Sequence, residues 1–219
     1  FTLAAAARLV FYSFTNNSNF RWFLTGPAGT HVSDRPFTSS DSHDIANPVL
    51  TLGAGAYTLT VDGQGDTTGA YSFRLLDLAA ATPLTPGTPV TGTLDPANET
   101  DLFQFAGAAG DRLFFDVTAR SGAGNARWRL VDPFSNVLFE QGFGNTSSDV
   151  DPLTLPRTGT YTLFLEGRFF ETGTGTYTLN VQPVSDETFP LAVGATTSET
   201  IDEPGEQDTY TFTLADPAR

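Results

Sequence analysis

Two short acidic loops carry side chains that could bind a metal ion. Each loop holds three carboxylates in the same spacing. They are Asp95, Glu99 and Asp101 in DPANETD, and Asp202, Glu206 and Asp208 in DEPGEQD. Three carboxylates on one loop suit Ca²⁺, because this hard cation takes several oxygen ligands and tolerates irregular geometry. The spacing matches no strict calcium motif, so the alternative is a turn whose acids cap backbone amides or face water. We therefore predict no required cofactor and keep Ca²⁺ as the candidate ligand.

Histidine and acidic residues offer little for catalysis. The polar stretch SSDSHDIANP contains Asp41, His43 and Asp44, but a lone histidine beside aspartate on a polar loop is usually surface decoration. No Gly-x-Ser-x-Gly elbow is present, the chain has no cysteine, and neither His31 nor His43 recurs in the second half of the sequence. We therefore expect no catalytic residues and no enzyme.

Aromatic residues suggest a binding surface at one place and a core at another. Trp22 and Trp128 could stack on sugars, but each lies on an alternating strand beside a leucine, which favours burial. Phe169 and Phe170 in EGRFFETG have no counterparts elsewhere in the chain. An exposed phenylalanine pair often marks an interface, so these two residues are the predicted surface patch.

The charge of the chain excludes one class of partner. The formal net charge is −14, and all 11 basic residues are arginine. Binding to nucleic acid requires a basic face that neutralises phosphates, so we expect no nucleic-acid partner. No apolar stretch is long enough to span a bilayer, and we expect no membrane insertion.

Composition and alternation predict strands. The chain has 21 Gly, 14 Pro and 19 Phe, a mixture that favours short strands joined by tight turns. Tyr57, Leu59 and Val61 alternate with threonines, as expected of a strand with one buried face. We predict an all-β fold of tandem jelly-roll-like β-sandwich modules with no significant helix. DGQGDTTG and EGRFFETGTG are predicted to be long hairpin loops that join the last two strands of each unit.

The sequence repeats itself with a period of about a hundred residues, which is typical of tandem whole domains. Residues 83–105 correspond without a gap to residues 190–212, and Trp22 corresponds to Trp128. In this register, residues 1–82 are a β-sandwich module that lacks its first strands, residues 83–189 are a complete module, and residues 190–219 are the first strands of a further module. Phe1 and Phe212 occupy the same place in the unit.

The motifs of the repeat resemble the bacterial pre-peptidase C-terminal domain. They are Gly92-Thr93-Leu94, Asp101 before an aromatic strand, Gly159 before Tyr161, and Gly175 before Tyr177. The resemblance implies a jelly-roll-like sandwich on secreted proteins, placed behind extracellular peptidases or strung in tandem on surface proteins. It also implies that calcium or collagen binding is known among relatives. No catalytic domain accompanies the modules in this chain, which departs from the peptidase setting.

The repeat gives two expectations of function. The first is a structural array on an extracellular or cell-surface bacterial protein, joined end to end as a stalk or filament. The alternative is a calcium-stabilised adhesion module that binds collagen or polysaccharide.

Incomplete modules at both ends predict self-association. A sandwich without its first strands exposes a sheet edge, and such an edge recruits another strand. The expected partners are copies of the chain or adjacent modules of the same chain, arranged head to tail. Covalent continuation and strand exchange between subunits both remain open. The residues expected at this contact are Phe1, Leu3, Tyr210, Phe212 and Leu214.

Overall fold

β-Strands dominate the computed structural model, which describes residues 1–40 and 44–214. The described ranges include two short 3₁₀ turns, Phe37–Ser39 and Leu78–Ala80. Asp41 and His43 of the predicted polar cluster lie outside these ranges. Among the described residues, no helix has the length and apolar character needed to cross a membrane. The predicted all-β sandwich fold is confirmed.

The first sandwich is built from two three-stranded sheets, ordered β5-β2-β8 and β4-β3-β7. A short pair, β1 and β6, lies beside them. The strands are β1 (Thr2–Leu3), β2 (Ala7–Ser13), β3 (Phe20–Gly26), β4 (Gly29–Pro36), β5 (Leu50–Leu52), β6 (Gly55–Ala56), β7 (Thr58–Gly63) and β8 (Phe73–Asp77).

The middle sandwich has the same plan with more strands. Its sheets are ordered β10-β17-β12-β15 and β14-β13-β16-β11-β9. The strands are β9 (Thr82–Pro83), β10 (Val90–Leu94), β11 (Thr100–Gly107), β12 (Arg112–Ser121), β13 (Arg127–Val131), β14 (Val137–Gly142), β15 (Val150–Thr154), β16 (Gly159–Glu166) and β17 (Gly175–Pro183). A two-stranded parallel sheet follows, made of β18 (Glu187–Pro190) and β19 (Asp208–Thr211). We call residues 187–214 the tail segment.

Each sandwich has its own core with a tryptophan at its centre. Trp22 and Trp128 are fully buried, so the structure places both in the core rather than on a sugar-binding surface. Trp22 stacks on Phe11 at 4.0 Å between ring centroids. Trp128 meets Phe143 edge-on at 5.2 Å. The two cores do not merge, because the inner faces of each sheet pair pack only against each other.

The hairpin prediction for the last two strands of each unit is wrong. β7 and β8 belong to opposite sheets, and so do β16 and β17. The loops DGQGDTTG and EGRFFETGTG therefore cross from one sheet to the other. Alternation shows that a strand has one buried face. In a sandwich, two consecutive strands each bury one face in the core whether they belong to the same sheet or to opposite sheets, so alternation does not distinguish the two cases.

Candidate functional site

The two sandwiches are joined by a buried apolar cluster. It is distinct from both cores and draws on the outer face of one sheet from each sandwich. Its buried members are Val10, Val49, Leu78 and Ala81 on one side, and Leu102, Val131 and Phe164 on the other. We call this contact the joint. The joint explains why β2 is a nearly continuous apolar run, because one face of β2 packs in the core of the first sandwich and the other face packs in the joint.

Polar side chains lock the rim of the joint. Arg8 donates from Nη1 to the carbonyl oxygens of Asp132 and Pro133, each at 3.2 Å. Arg129, which is fully buried, donates to the carbonyl of Ile45 at 3.0 Å. Burial lowers the pKa of Arg129, but the neighbouring carboxylates of Glu166 and Glu140 favour its charged form. The joint therefore combines apolar packing with hydrogen bonds of fixed direction.

A buried aspartate shapes the turn that Arg8 contacts. The Asp132 carboxylate accepts backbone N–H groups of Phe134 and Asn136 at 2.8 Å each, and the Asn136 side chain at 2.9 Å. Burial alone would raise the pKa of Asp132, but these hydrogen bonds outweigh it, so the pKa lies below the ordinary value. The ionised form of Asp132 thus holds the carbonyl groups in place for Arg8.

The connection between the sandwiches is short and ordered. The side chain of Asp77 accepts the backbone N–H of Ala79 and caps the 3₁₀ turn Leu78–Ala80. β9 begins immediately afterwards and pairs in parallel with β11, placing Thr82 opposite Phe103. Leu78 and Ala81 are buried in the joint. The residues between the sandwiches are therefore part of the packed structure.

Among the described residues, two strands at the edges of the first sandwich have counterparts that lie inside the sheets of the middle sandwich. In the middle sandwich, β16 lies between β13 and β11, and β17 lies between β12 and β10. In the first sandwich, β7 pairs only with β3 and β8 pairs only with β2. An open edge presents a row of backbone N–H and C=O groups that can accept another strand.

Phe1 occupies the place that Phe105 holds in the middle sandwich. Phe1 stacks on Tyr57 at 5.4 Å and exchanges backbone hydrogen bonds with it. Phe105 stacks on Tyr161 at 5.7 Å, with a nearly identical angle between the rings. Phe1 thus corresponds to a residue in the second half of β11, and β1 corresponds to the residues that follow it. Leu3, also predicted for self-association, pairs with Gly55 and is partly buried.

The tail segment repeats the start of the middle sandwich in the same register. β18 and β19 are parallel, with Phe189 opposite Tyr210, just as Thr82 lies opposite Phe103 in β9 and β11. The side chains differ in burial. Phe103 and Phe105 are 6% and 3% exposed, whereas their counterparts Tyr210 and Phe212 are 37% and 55% exposed. Leu214 is as exposed as Phe212.

The predicted metal loop at Asp95 is held by internal hydrogen bonds. Glu99 accepts the backbone N–H of Asp95 at 3.1 Å and lies 3.5 Å from the guanidinium of Arg74. Asp101 accepts the hydroxyl of Tyr177 at 2.5 Å. Burial raises the pKa of Asp101, with the Tyr177 hydroxyl acting in the opposite direction. Glu99 and Asp101 therefore already serve as acceptors, and calcium binding at this loop stays a prediction.

The residues of the resembled motif meet around Tyr177. Gly92 lies opposite Tyr177 in the β10–β17 pair, and the tyrosine ring leaves no room there for a Cβ atom. The same ring reaches Asp101 through its hydroxyl. The Gly92, Asp101 and Tyr177 motif thus fastens β10 and β11 to β17, which is a structural role.

The tail segment brings together a different acidic group from the one predicted. Carboxylate oxygens of Glu187, Glu206 and Asp208 all lie within 4.8 Å of one another. Partial desolvation, followed by repulsion from the Glu206 carboxylate, raises the pKa values of Glu187 and Asp208. Asp202 adds to that repulsion, but its backbone N–H is bonded to Glu206 at 2.6 Å. Sequence reasoning missed Glu187, because β18 brings it from outside the loop.

The aromatic pair is partly exposed, with an arginine beside it. Phe169 and Phe170 meet edge-on at 5.1 Å between centroids. The Arg168 guanidinium lies 5.6 and 5.4 Å from the two rings and pairs with Asp44 at 3.2 Å. The loop that carries the patch crosses between the sheets of the middle sandwich, and its use as a binding surface stays a prediction.

Comparison with known proteins returned solved structures only. No protein-family model and no curated protein matches the chain. Two similar solved structures are PliG proteins, periplasmic lysozyme inhibitors of g-type lysozyme. That of Aeromonas hydrophila is 12% identical with a TM-score of 0.36, and the alignment covers 47% of this chain and 96% of that chain. That of Salmonella Typhimurium is 17% identical with a TM-score of 0.37, covering 47% of this chain and 97% of that chain.

A third similar structure is the pre-peptidase C-terminal domain of collagenase from Bacillus anthracis. It is 20% identical with a TM-score of 0.38, and the alignment covers 47% of this chain and 94% of that chain. The chain is thus similar to a domain of the family that its motifs resemble.

Proposed function

We propose that this chain is a structural stretch of an extracellular or cell-surface bacterial protein, in which β-sandwich modules are joined end to end as a stalk or filament. Residues 1–82, 83–189 and 190–219 belong to successive modules in this proposal. The joint is the observation that carries it. Tethered domains usually move relative to each other unless the interface between them is well packed and apolar. Here the interface is apolar and buried, and two residues of the connection, Leu78 and Ala81, are buried within it.

The features of the chain suit a load-bearing spacer. Val10, Phe164 and Leu78 fix the sandwiches face to face, and Arg8 fixes their orientation through two backbone carbonyls. The acidic surface keeps such an array soluble. The extracellular location in this proposal follows from the resemblance of the motifs to domains of secreted proteins.

Small-angle X-ray scattering tests the rigid joint directly. We expect the wild-type chain to scatter as one fixed arrangement of the two sandwiches. A matched variant with a short Gly-Ser insertion between Ala80 and Ala81 should behave as two globules on a flexible tether. The proposal fails if the wild-type chain shows the same broad distribution of dimensions as the insertion variant.

A calcium-stabilised adhesion module is the second candidate. The observation that favours it is the group Glu187, Glu206 and Asp208, which offers three carboxylate oxygens at distances suited to one cation. In this alternative, calcium neutralises the repulsion within the group and orders the tail segment, while collagen or polysaccharide binds elsewhere on the modules. A calcium titration followed at the tail segment separates the two candidates.

A further inference from the structure

We propose that a groove on the middle sandwich, beside the predicted surface patch, binds a neutral polysaccharide chain. The groove has a volume of about 340 Å³. Its lining includes Gly124, Asn125, Arg127, Gly142, Arg168 and Phe170. We call it the aromatic groove. The proposal rests on the second candidate function for the class of polymer, and it adds the site and the neutral charge of the ligand.

Phe170 gives the aromatic groove an apolar wall. It is 42% exposed, and the guanidinium of Arg168 lies 5.4 Å from its ring centroid. A pyranose ring has one face made largely of C–H groups and a rim of hydroxyl groups. The C–H face packs on an aromatic ring, as other apolar groups do. Phe170 therefore offers a contact for the apolar face of a sugar.

Polar groups of the aromatic groove suit the hydroxyl rim of the same sugar. Arg127 pairs with Glu140 through Nε, and its side chain is 25% exposed. A guanidinium has five N–H donors, so this pairing leaves donors for a ligand. The side-chain amide of Asn125 donates to Glu171 at 2.7 Å, and its carbonyl oxygen is an acceptor. Hydroxyl groups both donate and accept, so they can use both kinds of group.

The charges of the aromatic groove favour a neutral ligand. Each of its two arginines already faces a carboxylate, since Arg127 pairs with Glu140 and Arg168 pairs with Asp44 at 3.2 Å. The chain as a whole has a formal net charge of −14, which repels a polyanion. These guanidinium groups therefore act as hydrogen-bond donors to hydroxyls rather than as a receptor for an anion.

The loop that carries Phe170 is held in place before any ligand binds. The carboxylate of Glu171 accepts the backbone N–H and the side-chain amide of Asn125, each at 2.7 Å. The carbonyl oxygen of Phe169 accepts the side-chain amide of Asn98 at 3.4 Å. A surface that is ordered in advance lowers the entropic cost of binding.

Two glycines keep the aromatic groove open although the fold does not require them. A Cβ atom at Gly124 or at Gly142 would have nothing within 4 Å, and neither residue has a left-handed backbone. Gly142 ends β14, and glycine within a strand marks a place where a ligand or another backbone approaches closely. No other backbone approaches these two positions within the described part of the chain. Their lack of side chains therefore leaves room for a ligand.

The equivalent place on the first sandwich is closed. Pro36 holds the register position of Gly142, because Arg21 lies opposite Pro36 as Arg127 lies opposite Gly142. Arg21 also donates to Gln64 at 3.1 Å and so ties β3 to the loop DGQGDTTG, which has no aromatic residue. The two sandwiches thus share a core but not the aromatic groove. The groove is a feature of the middle sandwich rather than a consequence of the fold.

The size of the aromatic groove favours a sugar chain over a folded protein. Its volume lies at the low end of the range of about 300–1,000 Å³ for small-ligand sites. Stable protein interfaces bury about 800 Å² on each partner around several large anchors. Phe170 is the aromatic residue of the groove lining, which suits a single sugar contact.

Calorimetric titration with soluble oligosaccharides of glucose, of mannose and of N-acetylglucosamine tests the proposal. We expect the wild-type chain to bind at least one of them. Phe170→Ser should weaken this binding on the order of tenfold, because the contact buries an aromatic ring. The matched control is Phe134→Ser. Phe134 is also exposed and has an arginine 5.0 Å from its ring, but it lies outside the groove, so this variant should bind as the wild type does.

Filling the aromatic groove is an independent test. Gly142→Leu should abolish binding, because the added side chain takes the place of the sugar. The matched control is Gly53→Leu, since a Cβ atom at Gly53 also has nothing within 4 Å and its backbone is not left-handed. Thermal melts followed by tryptophan fluorescence check that the variants are folded. If Gly142→Leu does not fold, the comparison of Phe170→Ser with Phe134→Ser still decides.

Three results overturn the proposal. They are no binding to any of the three neutral oligosaccharides, equal binding by the wild type and Phe170→Ser, and tighter binding of polygalacturonate than of every neutral oligosaccharide. Equal binding by the wild type and the groove variants would place the sugar elsewhere on the modules, so the second candidate function would stand without this site. Scattering and the calcium titration report the joint and the tail segment separately, so failure of the aromatic groove is distinguishable from failure of the proposed function.

Discussion

Phe164 allows the joint to be weakened without disturbing either core. Its side chain lies on the outer face of β16 and is fully buried in the joint cluster. In a middle sandwich without its neighbour, this side chain would face solvent. The variant Phe164→Ala should therefore reduce the coupling between the sandwiches and leave the middle sandwich close to its own stability.

The size of the effect follows from the burial. Truncating a fully buried phenylalanine to alanine costs about 3–5 kcal/mol. The first sandwich falls in the size range where each kcal/mol shifts the melting midpoint by about 4–8 °C. If the joint supports the first sandwich, its melting midpoint should fall by about 12 °C or more. The middle sandwich has more strands and an independent core, so its midpoint should move far less.

The two tryptophans make the assay possible, because each sandwich contains one of them at its centre. Thermal melts followed by fluorescence in a Trp128→Phe background report the first sandwich, and melts in a Trp22→Phe background report the middle one. The matched control is Phe134→Ala. Phe134 is 66% exposed on the turn after Pro133, so the same truncation there should leave both midpoints unchanged.

Two results would contradict this reasoning. One is an equal fall of both midpoints with Phe164→Ala, which would mean that the residue supports the middle core rather than the contact. The other is no change in either midpoint, which would mean that the sandwiches are stable independently and that the joint contributes little.

Two further predictions concern charged groups. The pKa of Asp132 lies below its ordinary value of 3.8. Its contribution to the free energy of unfolding is therefore fully present above pH 3.8 and is lost as the pH falls through the lower, folded-state pKa. The variant Asp132→Asn should remove this part of the acid dependence in thermal melts monitored by Trp22 fluorescence. If the group of Glu187, Glu206 and Asp208 binds Ca²⁺, millimolar Ca²⁺ should stabilise the tail segment and shift its amide hydrogen exchange to slower rates. Asp208→Asn should abolish that shift, whereas Asp95→Asn should not, and an unchanged wild-type exchange pattern would remove calcium from the account.

The sequence is sufficient to predict the strands and the buried tryptophans. Alternation around Tyr57 and Tyr161 identifies β7 and β16, and the repeat places Trp22 and Trp128 at equivalent positions. The pairing of these strands could not be predicted, because alternation does not distinguish a hairpin from two strands that face each other across a core. The crossing of β7 and β8 between sheets is therefore known only from the structure.

The joint and the acidic group show a second limit. The apolar run around Val10 indicates a strand that is buried on both faces, but not what covers the second face. Phe164 and Thr162 alternate with core residues in β16, and only the three-dimensional arrangement shows that Phe164 meets the neighbouring sandwich. Glu187 joins Asp208 because β18 and β19 run side by side, and a spacing rule applied to one loop cannot include it.

The short connection between the sandwiches has a mechanical consequence. The connection from Asp77 to Thr82 has no loose chain to extend under force, because Asp77 caps a 3₁₀ turn, Leu78 and Ala81 are buried in the joint, and the paired strand β9 begins at Thr82. Stretching must therefore separate the joint or unravel a whole sandwich, which would release roughly 3.3–3.6 Å for each residue freed. Such a chain would behave as a stiff rod at low force and lengthen in large, discrete steps at high force.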